Sequence, residues 1–168
     1  LDATKAFQRV VTDKAEVDGL PESALELAAQ TATSKGHEGA TAESGPWVFT
    51  LDIPSYMPVM LHAKNRGLRE ELYREYLTRA SSGETDNTPN IDEILQLRQE
   101  KAKLLGYDNF ADVSMARKMA TVEKAETLME ELRQVSYDAA VQDLKDVQEF
   151  AKAQGADHEL KQWDITFW

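Results

Sequence analysis

Apolar residues recur at helical spacing along most of this chain, and the exceptions to that spacing mark its joints. Asp2 is placed to cap a short helix carrying Phe7, Val10 and Val11. Gly19-Leu20-Pro21 breaks the pattern, and Pro21 suits the first turn of a second helix with Leu25, Ala28, Ala29 and Ala32 on one face. The small, polar run GHEGATAESG from Gly36 to Gly45 predicts a surface loop. Trp47 to Leu51 (WVFTL) is aromatic and β-branched, and it is the one convincing strand. A strand cannot satisfy its own backbone, so its partner must be another short segment or a strand outside this chain.

Ser55 then suits the N-cap of a helix starting at Tyr56, with Pro58 tolerated in its first turn. Asn65 interrupts, and the next helix carries Leu68, Leu72, Tyr73, Tyr76 and Leu77 on one face. Glu70–Arg74 and Glu75–Arg79 are acid-first i,i+4 pairs on the other, worth about 0.2–0.5 kcal/mol each. SSGETDNTP (residues 81–89) predicts a second loop, after which Asn90 or Asp92 opens a helix with Ile91, Ile94, Leu95, Leu97, Leu104 and Leu105, stopped by Gly106. Asp108 is placed to cap a shorter helix with Phe110, Ala111 and Val113. Thr121 suits the N-cap of the longest element, a helix of about eight or nine turns reaching about Ala153. Val122, Ala125, Met129, Leu132, Val135 and Ala139 form its first stripe, continued by Leu144, Val147, Phe150 and Ala151. A helix that long suits the wall or spine of a large helical assembly. The predicted fold is mainly α: a multi-helix array with one very long helix and a minor strand or hairpin.

Composition narrows the classes. The 168 residues suit one ordinary domain, and 42% hydrophobic with 29% charged residues is a globular balance. No apolar run approaches the roughly 18 residues of a membrane span, so no membrane partner is expected. A formal net charge of −11 argues against nucleic acid as a partner. The absence of cysteine removes thiol catalysis, disulfides and cysteine-ligated zinc. Leu1 in place of Met, and an aromatic terminus at Trp163-Asp164-Ile165-Thr166-Phe167-Trp168, read as a segment cut from a longer polypeptide.

Chemistry is sparse. A zinc-peptidase helix places histidines at i and i+4 with Glu at i+1, so that both imidazoles reach one ion. His37-Glu38 and His158-Glu159 each begin that motif, but Thr41 and Gln162 stand where the second histidine belongs. His62 precedes Ala63 and has Arg66 four residues on. The residues three before the histidines are Ser34, Val59 and Gly155, so a Glu-x-x-His di-iron pattern fails as well. Glu70-Glu71, Asp92-Glu93 and Glu130-Glu131 point about 100° apart on their helices and do not converge on one proton or ion. Tyr56, Tyr73 and Tyr76 near Arg66, Arg69, Arg74 and Arg79 can be read as a peptide-binding groove or as core-rim tyrosines beside surface ion pairs. The residues themselves assign no catalytic site, no metal site and no defined substrate site.

Three stretches, WVFTLDIPSYMPVM with LREELYREYLTRAS, then LLGYDNFADVSMARKMA, then WDITFW, resemble in order and separation the oligopeptidase A branch of the thimet-oligopeptidase family of zinc metallopeptidases. The run around GHEGATAESG is similar to plant-type members, organellar and cytosolic. The resemblance covers nearly the whole chain. It implies an endopeptidase that degrades short unstructured peptides, including targeting peptides in plant organelles, within a two-lobed helical body enclosing a channel. It places the zinc ligands and the groups that stabilise the intermediate downstream of Trp168, so no catalytic or metal role falls on any residue here. Residues 1–168 are then expected to be one helical domain or segment, inactive alone and binding no zinc of its own, that forms channel wall in the parent enzyme. Its expected partners are short peptides reached through that channel and the remainder of the same polypeptide. The implied location is intracellular: chloroplast or mitochondrion, or cytosol. Two other readings stay open, a stand-alone helical interaction module and a non-catalytic peptide-binding relative.

Overall fold

The computed structural model describes residues 2–168, which are mainly helical. They divide into two compact units: one joins the first 85 residues to Ala151–Trp168, and the other is Asp86–Phe150.

The first unit contains α1 (Asp2–Ala6), β1 (Arg9–Val11), a 3₁₀ turn (Lys14–Val17), α2 (Glu22–Ser34), β2 (Trp47–Phe49), α3 (Ile53–His62), α4 (Arg66–Thr78), a 3₁₀ turn (Gly83–Thr85), the last residues of a long helix and α8 (Gln162–Ile165). The Trp47 strand finds its partner within the chain. β1 runs antiparallel to β2, with Arg9 opposite Phe49, Val10 opposite Val48 and Val11 opposite Trp47. Val10 and Val11 are therefore strand residues, not the end of the first helix, which stops at Ala6. Two adjacent β-branched residues suit a pleated surface, and pairing satisfies one edge of a strand that is buried along its whole length. Gly45, at φ +68°, turns the chain into β2; a Cβ there would stand 2.8 Å from the Trp47 ring. The indole Nε1 of Trp47 donates to the Ala42 carbonyl across the same loop.

α2 lays Ala24, Ala28, Ala29 and Ala32 against the ribbon, and these small side chains allow close approach. Pro21 stands at its N-cap, just outside the first turn. α3 begins at Ile53, earlier than Tyr56, with Asp52 at the cap and Pro54 in the first turn. Ser55 does not cap it: its Oγ accepts the Thr50 N–H at 2.9 Å and so holds the turn out of β2. Pro58 consequently falls inside the helix. Asn65 caps α4, its Oδ1 accepting the Leu68 N–H at 3.0 Å. Val11, Trp47, Phe49, Val59, Leu68 and Leu72 meet in one core, with Trp163 from α8 added to it.

The second unit holds α5 (Thr88–Leu104), α6 (Phe110–Met115) and α7 (Val122–Ala153) as far as Phe150. α5 starts before Asn90 because Pro89 fits its first turn, with Asn87 at the N-cap. α6 is capped by Asn109, whose Oδ1 accepts from the Asp112 N–H, rather than by Asp108. Thr121 Oγ1 accepts the Lys124 N–H at 3.2 Å at the start of α7, whose 32 residues span roughly 48 Å. Apolar side chains of α5 and α7 stay largely in water: Ile91, Ile94 and Leu95 on one, Leu128, Met129, Leu132 and Val135 on the other. Among the described residues of this unit, Ala102 is the buried apolar side chain.

Candidate functional site

Buried charge collects at one place in the first unit, where α4 receives α8. On α4, successive residues turn by about 100°, which puts Arg69 inside the arc spanned by Leu68, Leu72, Tyr76 and Tyr73. Arg69 is accordingly only 2% exposed, and it faces Asp164, which is 0% exposed. Asp164 sits at the third position of α8 and accepts the Lys161 N–H at 2.9 Å, which fixes the carboxylate against its own helix start. Arg69 Nη2 donates to one carboxylate oxygen at 2.7 Å. Arg66 Nη2 donates to the other at 2.9 Å, while its Nε lies 3.1 Å from both. The rest of the Arg69 guanidinium is spent on backbone: Nη1 donates to the Ala63 carbonyl at 2.6 Å, and Nε to the Trp163 carbonyl at 3.1 Å.

Burial by itself pushes the Asp164 carboxyl up. The hydrogen bonds from Arg66, the Lys161 N–H and Arg69 outweigh it and hold the net pKa below the ordinary aspartate value. A buried carboxylate with two guanidiniums and a backbone donor is an ion cluster whose geometry satisfies it.

Aromatic rings enclose the cluster. Arg66 and Arg74 lie over the Trp163 ring at 5.3 and 4.7 Å, and Arg69 over Phe167 at 4.1 Å. Tyr73 meets Trp163 edge-on at 5.9 Å. Tyr56 and Tyr76 stack at 4.5 Å, and Arg79 lies over Tyr76 at 3.9 Å. Burial, followed by the neighbouring Tyr73 and Tyr76, pushes the Tyr56 phenol above its ordinary pKa against a smaller opposing effect of Arg79.

The tyrosines and arginines that suggested a peptide groove are thus brought together, but each arginine is engaged within the chain. Arg66 and Arg69 hold Asp164, Arg74 pairs with Glu70 as well as Trp163, and Arg79 covers Tyr76. The arrangement clasps residues far apart in sequence, and Arg66, Arg69 and Arg74 already hold carboxylates of this chain. Sequence reasoning placed the α4 charges outside, Arg69 among them, and missed the burial of Arg69 and its pairing with Asp164. The signal for Arg69 was its angle on the helix, inside the apolar arc. Asp164 had a fainter one, a lone acid in the aromatic WDITFW run.

The histidines do not fit a zinc site. His37 is in the loop after α2, and His62 ends α3. His158 lies beside Asp157, and its Nε2 is 4.0 Å from an Asp164 oxygen that already accepts from Arg66. Among the described residues, no group of three or more potential ligands is placed to hold a metal ion. An open cleft of about 440 Å³ is bordered by Lys5, Lys35, Asp52 and Ser55, but it contains no histidine, and its Thr31 hydroxyl donates to the Leu27 carbonyl. Among the described residues, no helix is long and apolar enough to cross a membrane.

Known proteins supply the context. The whole chain aligns at 66% identity with the organellar oligopeptidase A, chloroplastic/mitochondrial, of Arabidopsis thaliana, covering 22% of that protein. It is also 66% identical to the probable cytosolic oligopeptidase A of the same plant, covering 24% of it. Identity to oligopeptidase A of Salmonella typhimurium is 43%, again over the whole chain and 25% of the relative. The chain therefore spans about a quarter of the length of these relatives. The model of peptidase family M3 matches residues 59–168, a stretch that includes α4, α8 and every member of the buried ion cluster. On that match, and on similarity that runs from end to end, this chain belongs to peptidase family M3.

Proposed function

We propose that this chain is a scaffold segment of a zinc-dependent oligopeptidase, forming part of the wall of the channel in which short unstructured peptides are cleaved. The observation that carries this reading is end-to-end similarity to oligopeptidases, in a chain among whose described residues no group of three or more potential ligands is placed to hold a metal ion. In that role the Arg66–Arg69–Asp164 clasp fixes α8 to α4, and the ribbon and α2 brace the same unit. Zinc and the water it activates belong, on this reading, to other parts of the polypeptide, and no step of the reaction passes through residues 1–168. Targeting peptides in a plant organelle are within the proposed substrate class, and the two plant relatives support either an organellar or a cytosolic location.

The test uses the 168-residue chain itself. Isothermal calorimetry with zinc, and incubation with a quenched-fluorescent peptide of about ten residues, are expected to give no one-to-one binding and no cleavage. Stoichiometric zinc uptake or hydrolysis by the purified chain would overturn the assignment of a purely supporting role.

A further inference from the structure

The geometry points to the first half of α7 as a docking face for a helical, apolar and base-flanked segment of the remaining oligopeptidase polypeptide. This rests on the scaffold reading above and adds which surface is covered and by what chemistry. At about 100° per residue, Ala125, Leu128, Met129, Leu132, Val135 and Ala139 fall on one side of α7. Leu128, Met129 and Leu132 are each about 60% exposed, and Val135 is 81% exposed. A continuous bare stripe of this kind marks an interaction surface rather than scattered surface leucines. A long helix in a protein takes most of its stability from packing of its apolar face, which here has almost nothing on it.

The face changes character further on. Asp143 and Asp146 interrupt the same side beyond Ala140, before Val147 and Phe150 resume it, so an occupant lying along the first half of α7 meets apolar side chains and then two carboxylates. Asp146 already accepts from Gln142 at 2.7 Å, whereas Asp143 has no ion pair among the described residues. The complementary surface is a helix with an apolar stripe of about four turns followed by lysine or arginine. The relatives supply a source for it: about three quarters of their length lies outside the aligned region. A second copy of the chain offers a poorer match, because its stripe carries the same carboxylates and no lysine or arginine to meet Asp143.

The chain contains no cysteine, so single cysteines report on the face directly. In the full-length polypeptide, Val135→Cys is expected to react with a maleimide at least ten-fold more slowly than Gln134→Cys, which lies on the opposite side. Mass spectrometry of the labelled peptides reads both sites, and native peptidase activity confirms that each variant is folded. In the isolated 168-residue chain the two should react at similar rates. Adding Asp143→Lys to Val135→Cys in the full-length protein should restore labelling several-fold. Equal labelling at 134 and 135 in an active full-length enzyme would overturn the docking face while leaving the scaffold reading intact. Protection of Val135→Cys in an isolated chain that light scattering finds dimeric would assign the face to a second copy. Protection that appears only with added peptide would make it a substrate surface, and either result overturns the proposal. Protection in a full-length protein that circular dichroism finds folded but that cleaves no peptide would instead sustain the docking face and sink the scaffold reading. Unchanged protection after Asp143→Lys would remove the basic flank from it.

Discussion

Replacing Asp164 by Asn is the sharpest perturbation the first unit offers. The two side chains have nearly the same shape, so the change removes charge and one acceptor without opening a cavity. Asp164 is 0% exposed and Arg69 is 2% exposed, so the Arg69 charge would be left buried with backbone carbonyls as its remaining partners. Removing one member of a buried pair costs about 3–5 kcal/mol, most of it from the stranded charge. That is a large part of the roughly 5–15 kcal/mol that holds a typical domain folded. For a chain of this size, about 2–4 °C of Tm per kcal/mol predicts a fall near 10 °C. Arg66→Gln is the control: its side chain is 33% exposed, so screening limits the loss to about 1 kcal/mol. Urea unfolding followed by tryptophan fluorescence reads both variants, since Trp163 lies against the clasp and Trp47 in the core. A loss below about 1 kcal/mol for Asp164→Asn, equal to that of Arg66→Gln, would show that the pair behaves as a surface pair and would refute the reasoning.

Four further outcomes follow from the same structure. Because the folded-state pKa of Asp164 is lowered, its stabilisation is complete above the unfolded value of about 4 and is lost as pH falls through the folded value. Acid unfolding of the wild type below pH 4 should therefore be steeper than that of Asp164→Asn. Tyr56, with its pKa raised first by burial, should weaken the fold as pH rises above about 10, and Tyr56→Phe should blunt that alkaline limb in circular dichroism. Gly19→Ala should cost more than about 2 kcal/mol in urea unfolding, because its φ is +89° and a Cβ would collide with the His62 carbonyl oxygen. Ala80, a non-glycine residue at φ +57° just past α4, predicts the opposite sign, with Ala80→Gly gaining about 1 kcal/mol or less.

Much of this architecture is legible from spacing. α2, α4, α5 and the extent of α7 follow from apolar periodicity, and Asn65 and Thr121 announce helix starts that the structure places there. Prolines misled by a few residues: Pro54 and Pro89, not Pro58, occupy first turns, so α3 and α5 begin earlier than their polar cap candidates suggest. β1 escaped because Val10-Val11 continues an apparent helical stripe, and its partner lies far along the chain, where local pattern has no reach. The clasp escaped for a related reason. Arginine is read as a surface residue, and the carboxylate that neutralises Arg69 stands 95 residues away. The family resemblance, by contrast, rested on ordered stretches such as WDITFW, and the residues of that stretch prove to be the ones that close the first unit.

The supporting role itself is tested most directly by segment exchange. The aligned quarter of the Arabidopsis thaliana cytosolic oligopeptidase A is replaced by these 168 residues, and cleavage of a quenched-fluorescent peptide is measured. The account predicts a chimera whose kcat/KM lies within about ten-fold of the unmodified enzyme, with Asp164→Asn in the chimera lowering its Tm. A folded, zinc-loaded chimera that cleaves no peptide would contradict it, since the exchanged segment would then hold something the reaction itself requires.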